Sequence, residues 1–392
     1  MTLNASGPIS LGGTTAGQSA EVELGGTGTA AITMNDSNLR TLAAVGGSGT
    51  QWSMNSLYGK SNGPPVMSFT ARSTSTFTRG GVSYNGTKSV AVGYRPTSYL
   101  NATESSPDGI TWTQSTSLGT PFGTTTPYCV AWNGTRFITI GDGPLCAYST
   151  DGITWTNSSS FSTIYASAPT YSQNPRFVEW FSAAGKFICT GNSGVICTSA
   201  DGITWAYNGQ MSGISATYCY QIAYNGSSKY IAVGSQGTSS SSANGVTGWS
   251  GSVVTGFGSN DITGIAYSST LGLWVAIGGS NSACMAATSP DGVTWTTRSS
   301  YNTAATAMVT SKGYAFSRRL RWHAGLGMFV ACLTWGIITS ADGINWVLEA
   351  GLLTLAGTGS PQMEDSAYTG TELIIANSGA QLSGNPCIYT SP

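Results

Sequence analysis

Carboxylates are the side chains of this sequence best suited to hydrolytic chemistry. The chain of 392 residues contains 16 Asp and Glu residues. Glycoside hydrolysis needs two carboxyl groups on opposite sides of one bond, one protonated and one ionised. Five of the Asp residues belong to a repeated heptapeptide, and Glu104, Asp142, Glu179 and Asp261 show no paired spacing. The sequence therefore predicts no catalytic pair of carboxylates.

The eight cysteines and the single histidine are the other candidates for chemistry. None of the cysteines forms a Cys-x-x-Cys pair, and His323 alone cannot complete a Cys/His zinc site. No Ser-His-Asp set can be built around His323, and no glycine-rich loop has phosphate-binding spacing. We therefore expect no metal, no cofactor and no enzymatic activity. The cysteines are predicted to be small buried thiols, with a cross-strand disulfide between Cys189 and Cys197 as the alternative.

The amino-acid composition predicts the fold class that must position these side chains. Charged residues make up 8% of the chain and the net charge is −1, so a nucleic-acid binder that neutralises phosphates is excluded. Hydrophobic residues make up 40% of the chain and 12 residues are Trp, which excludes charge-driven disorder. Gly, Ser, Thr and Tyr dominate over the strong helix formers, which predicts an all-β protein with many turns.

The sequence contains no targeting or spanning signal that we can identify. The N-terminal residues have neither the basic nor the apolar region of a signal peptide. No apolar run approaches the ~18 residues of a membrane-spanning helix. We therefore expect folding in a reducing cytoplasm and no membrane insertion.

A heptapeptide, Ser-x-Asp-Gly-x-Thr/Asn-Trp, recurs along the chain. Complete copies begin at Ser106, Ser149, Ser199, Ser289 and Ser340. A degenerate copy has Asn244 in place of Asp, and successive copies lie 43 to 51 residues apart. Asp-Gly in each copy favours a tight turn between two strands, because glycine readily adopts a positive φ.

A second element precedes each heptapeptide and contains an aromatic residue, a turn and an apolar run that ends near Gly. Its seven copies begin at Tyr84, Trp132, Trp180, Tyr224, Tyr267, Trp322 and Tyr368. Two hairpins in about 47 residues make a four-stranded antiparallel sheet, with the period of a propeller repeat. The sequence therefore predicts a seven-bladed β-propeller over residues 66–392.

The end of the chain predicts how the ring closes. The last four residues begin another heptapeptide but stop before its Asp, so the last blade lacks its fourth strand. We expect residues 66–77 to supply that strand beside residues 387–390, because a closed ring leaves no open sheet edge.

The heptapeptide resembles the Asp-box of sialidase-like and other repeat propellers, with one residue fewer between Asp and Gly. The resemblance implies that the box is structural, with the Asp holding the turn and the Trp covering the next blade. The residues assigned this role are Asp108, Trp112, Asp151, Trp155, Asp201, Trp205, Asp291, Trp295, Asp342 and Trp346. A sialidase would also need three arginines that converge from different blades. Only Arg318, Arg319 and Arg321 cluster, all in one blade, so we expect no such activity.

Residues 1–61 do not follow the repeat and have few apolar anchors. They resemble the short N-terminal module of tail proteins of tailed bacteriophages in residues 21–25, in Asn38-Leu39-Arg40 and in the ending Tyr58-Gly59-Lys60-Ser61. The resemblance implies a virion protein that is assembled in the host cytoplasm. Residues 1–61 are then expected to attach to other tail or baseplate proteins and to support a homo-oligomer, with a trimer favoured.

The function predicted for this architecture is non-catalytic recognition of a host surface, and the predicted ligand is a glycan. The alternatives are a purely architectural virion component and a glycan-cleaving, sialidase-like enzyme. Loops that vary in length suit binding better than short uniform turns, so we expect the receptor on the face opposite the Asp-Gly turns. The candidate receptor-binding residues in these loops are Tyr94, Arg95, Tyr99, Tyr165, Tyr171, Tyr301, Tyr314 and Trp335.

One further position breaks the repeat. The residue before each repeat aromatic is small in five copies, but it is Glu179 in the third and Arg321 in the sixth. These two side chains either face the central channel and bind something there or are merely solvated, and the sequence favours solvation.

Overall fold

The fold is described by a computed structural model of the chain. It describes residues 67–73, 78–95, 100–123, 125–166, 174–214, 217–280, 283–355, 361–378 and 388–391. The predictions for residues 1–61 therefore lie outside the described residues. None of the helices within the described ranges is both long enough and apolar enough to cross a membrane.

The described chain forms seven four-stranded antiparallel sheets, which confirms the predicted seven-bladed propeller. The innermost strands contact one another around a central channel. Blade 1 contains β2 (Thr78–Tyr84), β3 (Ser89–Arg95), β4 (Leu100–Ser106) and β5 (Thr113–Ser115). Blade 2 contains β6 (Pro127–Trp132), β7 (Phe137–Gly141), β8 (Leu145–Ser149) and β9 (Thr156–Asn157). Blade 3 contains β10 (Pro175–Phe181), β11 (Lys186–Gly191), β12 (Val195–Ser199) and β13 (Ala206–Gln210).

The other four blades repeat this order. Blade 4 contains β14 (Cys219–Tyr224), β15 (Tyr230–Gly234), β16 (Thr238–Ser242) and β17 (Ser250–Val253). Blade 5 contains β18 (Asp261–Ser268), β19 (Leu273–Ser280), β20 (Ala283–Ser289) and β21 (Thr296–Thr297). Blade 6 contains β22 (Ser317–His323), β23 (Met328–Leu333), β24 (Gly336–Ser340) and β25 (Val347–Leu348). Blade 7 contains β26 (Met363–Tyr368), β27 (Leu373–Asn377), β28 (Ile388–Ser391) and β1 (Thr70–Ser73).

Blade 7 joins the two ends of the propeller. Thr70 of β1 lies opposite Thr390 of β28, and the two strands are antiparallel. This closing strand lies within the segment that the sequence analysis assigned to closure. The fourth strand of the last blade therefore comes from the start of the propeller, and the ring has no unpaired edge at this point.

Helices occur mainly in the connections from one blade to the next. They are α1 (Gly119–Phe122), α2 (Ser159–Ala166), α3 (Ser299–Lys312) and α4 (Ala350–Leu355). A short 3-10 helix, Ser235–Gly237, lies between the second and third strands of blade 4. These connections share one face of the ring, because consecutive antiparallel strands run in opposite directions.

The heptapeptide turns lie on the other face of the ring. Oδ1 of Asp151 accepts the backbone N–H groups of Ile153 at 2.8 Å and Thr154 at 2.7 Å, and Gly152 has a φ of +72°. In the first copy, the corresponding hydrogen bonds from Thr111 and Ile110 lower the pKa of Asp108 to about 2. The box carboxylates are thus acceptors within the turn, as the structural interpretation of the motif requires.

The box Trp packs on the preceding blade, which corrects the expectation that it covers the next one. Trp155 of blade 2 shares a hydrophobic cluster with Val90 of blade 1 and with Phe137 of its own blade. In the same way Trp295 of blade 5 clusters with Ile231 of blade 4. The reason is the turn geometry, which places the Asp-Gly segment over the second strand of the neighbour that comes earlier in the chain.

The seven cysteines in the described part of the chain are buried free thiols. Cys189 and Cys197 lie directly opposite each other on β11 and β12. Burial raises the pKa of Cys197 to about 12, so the thiol form is strongly favoured at neutral pH. The structure therefore has the predicted buried thiols and not the alternative disulfide.

Candidate binding site at the mouth of the central channel

Every innermost strand carries a β-bulge at the same place. In β6, Pro127 pairs with Gly141 and Cys129 pairs with Ile140, so one residue of β6 is extra. The same one-residue shift occurs in the other six blades. The seven extra residues are Gly80, Tyr128, Arg176, Tyr220, Thr263, Arg318 and Glu364. We call them the bulge ring.

In five of the seven blades, a glycine at the end of the second strand lies beside the bulge. A Cβ on Gly141 would collide with the backbone oxygen of Thr126, just before the innermost strand of the same blade. Equivalent collisions would follow a Cβ on Gly191 and on Gly234. Leu333 and Asn377 hold this position in blades 6 and 7, so the bulge there forms without a Gly. In every blade the bulge redirects a side chain that a regular strand would place on the other side.

All seven bulge-ring residues line one cavity of about 280 Å³. The cavity opens at the starts of the innermost strands, which is the face that carries the blade-to-blade connections. It therefore lies opposite the Asp-Gly turns. The ring brings two arginines, two tyrosines and one glutamate together from five different blades.

The residues that directly follow the bulges close the channel below the cavity. Nη1 of Arg319 lies 3.1 Å from a carboxylate oxygen of Asp365, and its guanidinium carbon lies 5.3 Å from the centre of the Phe177 ring. Gln221 donates its amide N–H to the backbone oxygen of Leu320 at 2.7 Å. These side chains are almost fully buried, so they form a packed floor.

A third layer of channel-facing side chains contains Glu179 and Arg321, the two residues that are not small at this position of the repeat. Arg321 forms an ion pair with Glu179 across the channel and donates its Nε–H to Asp365 at 2.8 Å. The sequence favoured solvated side chains at both positions, and this expectation was wrong. Both face the channel, and they bind each other. Burial opposes the charge on Asp365, but the two guanidinium groups outweigh this effect and lower its pKa.

Arg176 projects into the cavity between aromatic rings. Its guanidinium carbon lies 5.3 Å from the centre of the Tyr128 ring and 5.6 Å from that of the Tyr218 ring. Such cation–π contacts orient the guanidinium group without neutralising its charge. Nε of Arg176 is buried and has no hydrogen-bond partner among the residues that the structure describes.

The hydroxyl groups of the two tyrosines in the bulge ring are hydrogen-bonded to carboxylates outside the cavity lining. Tyr128 donates its hydroxyl hydrogen to Asp142, and Tyr220 donates to Asp261 at 3.0 Å. Burial and then these carboxylates raise the pKa of both tyrosines, which therefore remain protonated. Each hydroxyl keeps its lone pairs for a ligand, and each ring presents an apolar flank.

The opposite side of the cavity carries the second arginine. Arg318 donates an Nη hydrogen bond to the side-chain oxygen of Gln362, and its guanidinium carbon lies 5.5 Å from the Phe316 ring. Its Nε is also buried without a partner among the described residues. Oε1 of the neighbouring Glu364 accepts a hydrogen bond from Ser378 at 2.6 Å.

The candidate receptor residues predicted from the sequence do not form this site. Tyr165 and Tyr301 are fully buried, and Trp335 is only 7% exposed. The rings of Tyr165 and Tyr301 pack on Phe161 and Trp346, so these three residues cover blade ends and offer no exposed surface to a ligand.

Other candidates are half-buried or not described. Tyr94 and Tyr314 are half-buried. Tyr314 packs edge-on against Trp335, with the two ring centres 5.8 Å apart. Arg95 ends β3, and nothing is described of its side chain. Tyr99 and Tyr171 lie outside the described residues.

The bulge ring was missed although the sequence contains a signal for it. Each bulge residue stands four positions before the repeat aromatic, so Tyr128 precedes Trp132 and Arg176 precedes Trp180. The position directly before the aromatic, by contrast, is the one that a regular strand directs into the channel. A strand without a bulge would direct the fourth residue back away from the channel, which is why strict alternation gives no reason to examine it.

Because of the bulges, the arginines that line the cavity come from two blades. Arg318 and Arg319 line the cavity from blade 6, and Arg176 joins them from blade 3. The expectation that clustered arginines come from a single blade was therefore wrong. In the described part of the chain, no group of three or more His, Cys, Asp or Glu side chains is arranged to hold a metal ion.

Comparisons with known proteins support the fold. No protein-family model and no curated protein matches the sequence. A solved structure titled YCF48 bound to D1 peptide is similar, with a TM-score of 0.59 and 16% identity over 84% of this chain and 97% of that one. YCF48 from Cyanidioschyzon merolae has a TM-score of 0.57 and 13% identity over 83% and 98% of the two chains. The WD40 propeller domain of Doa1 has a TM-score of 0.52 and 10% identity over 83% and 97%. At these identities the likeness concerns the propeller fold alone.

Proposed function

We propose that this protein is a non-catalytic recognition protein that binds its ligand at the bulge ring. The observation that carries the proposal is the convergence of Tyr128, Arg176, Tyr220, Arg318 and Glu364 on one cavity above a closed channel floor. Concave sites with aromatic rings and a few convergent polar groups are the usual places where small molecules and saccharides bind. One structure of similar fold is described by its title as bound to a peptide, which fits a binding role for this propeller.

We propose further that the ligand is a host-surface glycan and that the protein is a tail or fibre component of a virion. Tyrosine rings suit the C–H faces of sugars, and their hydroxyl groups suit polar contacts. The virion assignment rests on the resemblance of residues 1–61 to the N-terminal module of phage tail proteins. Attachment to other tail proteins and formation of a homo-oligomer belong to the same proposal.

The absence of catalysis is part of the proposal, and the hydrogen bonds at the ring support it. Asp142 and Asp261 are held by tyrosine hydroxyls, and Glu364 by Ser378. Of these carboxylates, only Glu364 lines the cavity, together with three arginines. Glycoside hydrolysis by an acid and a base needs two carboxyl groups that reach the same bond.

Adsorption of the purified protein to host-cell envelopes tests the proposal. Tyr128→Ala and Tyr220→Ala should each reduce adsorption at least about tenfold, since each removes an aromatic contact. The matched control is Tyr207→Ala, because Tyr207 is 37% exposed on an outermost strand of blade 3. Unchanged adsorption of both ring variants, or equal loss in the control, would reject the proposed site. Release of sugar during the assay would reject non-catalytic binding.

A further inference from the structure

The charges of the bulge ring point to the chemistry of the ligand, an inference that rests on the proposed function. Among the described residues, the cavity lining contains the guanidinium groups of Arg176, Arg318 and Arg319 but only one carboxylate, that of Glu364. Arg319 is already paired with Asp365 in the floor. The two cations of the ring itself are therefore the groups that face the cavity without an ion-pair partner among the described side chains.

Arg176 and Arg318 stand on opposite sides of the same opening. The residues that follow them, Phe177 and Arg319, are in contact across the channel. The guanidinium carbon of Arg319 lies 5.3 Å from the centre of the Phe177 ring. One layer above, the two ring arginines approach the cavity from blades 3 and 6. A small group at the centre of the opening can thus be reached from both sides.

Both arginines line the cavity, and each has one donor without a partner among the described residues. Nε of each is buried and has no hydrogen-bond partner among the described residues. A buried donor without a partner lowers stability, and an oxygen acceptor that reaches it recovers that cost. Nε and Nη of one guanidinium group together form the fork that fits two oxygens of an oxyanion.

We infer that the bulge ring selects glycans that carry an oxyanion, either a carboxylate or a phosphate, and that Arg176 and Arg318 grip this group from two sides. Tyr128 and Tyr220 then contact the sugar ring that bears it. Asp142 and Asp261 lie behind the tyrosines and are not part of the lining, so they do not repel the anion at contact distance. Glu364 is the one carboxylate in the described lining, and its Oε1 already accepts a hydrogen bond from Ser378.

Binding of the full chain to immobilised polysaccharides tests this inference. The probes are polygalacturonate for carboxylates, poly(glycerol phosphate) for phosphates and dextran as the neutral reference, with polyglutamate as an acidic peptide. The wild-type chain should bind one of the two anionic saccharide probes at least about tenfold more tightly than dextran, and the affinity should fall as salt rises. Whichever of the two binds identifies the source of the oxyanion.

The variants assign the binding to the two arginines. Arg176→Gln and Arg318→Gln should each weaken binding to the anionic probe about tenfold or more. Lys186→Gln is the charge-matched control, because Lys186 begins β11 on the opposite face. Melting curves of each variant establish that it folds.

Three outcomes would overturn the inference. These are no preference of the wild-type chain for an anionic saccharide over dextran, tighter binding to polyglutamate than to either saccharide, and equal loss in the Lys186 control. The failure of this inference is distinguishable from failure of the proposed function. If neutral glycans bind as well as anionic ones but Tyr128→Ala still abolishes binding, the site is correct and its charge selectivity is not.

Discussion

At the scale of single residues, Asp365 is the group on which the channel floor depends. Its side chain is fully buried and forms ion pairs with both Arg319 and Arg321. Removing one partner from a buried ion cluster leaves charges uncompensated and typically costs about 3–5 kcal/mol. We therefore expect Asp365→Asn to lower the free energy of unfolding by about that amount in urea titrations.

The chain itself provides the control for that substitution. Asp151→Asn makes the same chemical change in a box turn. The degenerate box already has Asn244, whose Oδ1 accepts the N–H groups of Val246 and Thr247 at 2.9 Å. The control should cost less than about 1 kcal/mol, because the turn keeps its acceptor. Equal costs at the two positions would contradict the role given to the buried cluster.

The same carboxylate predicts a pH dependence of stability. Its pKa is lower in the folded protein than the unfolded value of about 3.9. A group with a depressed folded pKa contributes stability that is fully present above its unfolded pKa and is lost as the pH falls through its folded pKa. Unfolding titrations below pH 4 should show a steeper acid loss in the wild-type chain than in Asp365→Asn. Parallel curves would show that this carboxyl group does not titrate as described.

At the scale of secondary-structure elements, the box turns are limited by packing as well as by backbone conformation. Gly202 has a φ of +75°, and a Cβ there would collide with Cδ1 of Ile138 on the preceding blade. Gly86 has a φ of +97° in an Asn-Gly turn and has nothing within 4 Å of the added carbon. Gly86→Ala should cost about 1–2 kcal/mol from the backbone alone, and Gly202→Ala about 1–3 kcal/mol more. Thermal or urea unfolding of the pair measures the difference, and equal losses would contradict the blade contact.

The closing strand is the other element with a clear expectation. A chain that starts at residue 67 retains β1, and it should unfold in one cooperative transition like the full chain. A chain that starts at residue 74 lacks β1 and exposes the edge of β28, so it should melt at a lower temperature and aggregate. Calorimetry and light scattering of the two truncated chains compare them directly. Identical melting would mean that closure by β1 contributes nothing to the stability of the ring.

At the scale of the whole molecule, the sequence repeats made the fold predictable. The β-bulges, which the repeats do not indicate, made the site unpredictable. The Asp-Gly box and the seven repeat aromatics predict the number of blades, because each marks a turn or strand that must recur. Tyr165 and Tyr301 were misassigned because sequence cannot distinguish an aromatic residue in a loop from one that covers a blade end. Arg176 and Arg318 were missed because a bulge changes which residues face the channel, and strict strand alternation does not indicate where a bulge occurs.

The proposed function places the ligand on the face of the bulge ring and not on the face of the Asp-Gly turns. Hydrogen–deuterium exchange of the full chain, with and without host-envelope glycan, tests it most directly. We expect protection in residues 125–130, 174–178 and 317–321, at the starts of the innermost strands. Protection confined to the box turns at residues 108–112, 151–155 and 201–205 would contradict it.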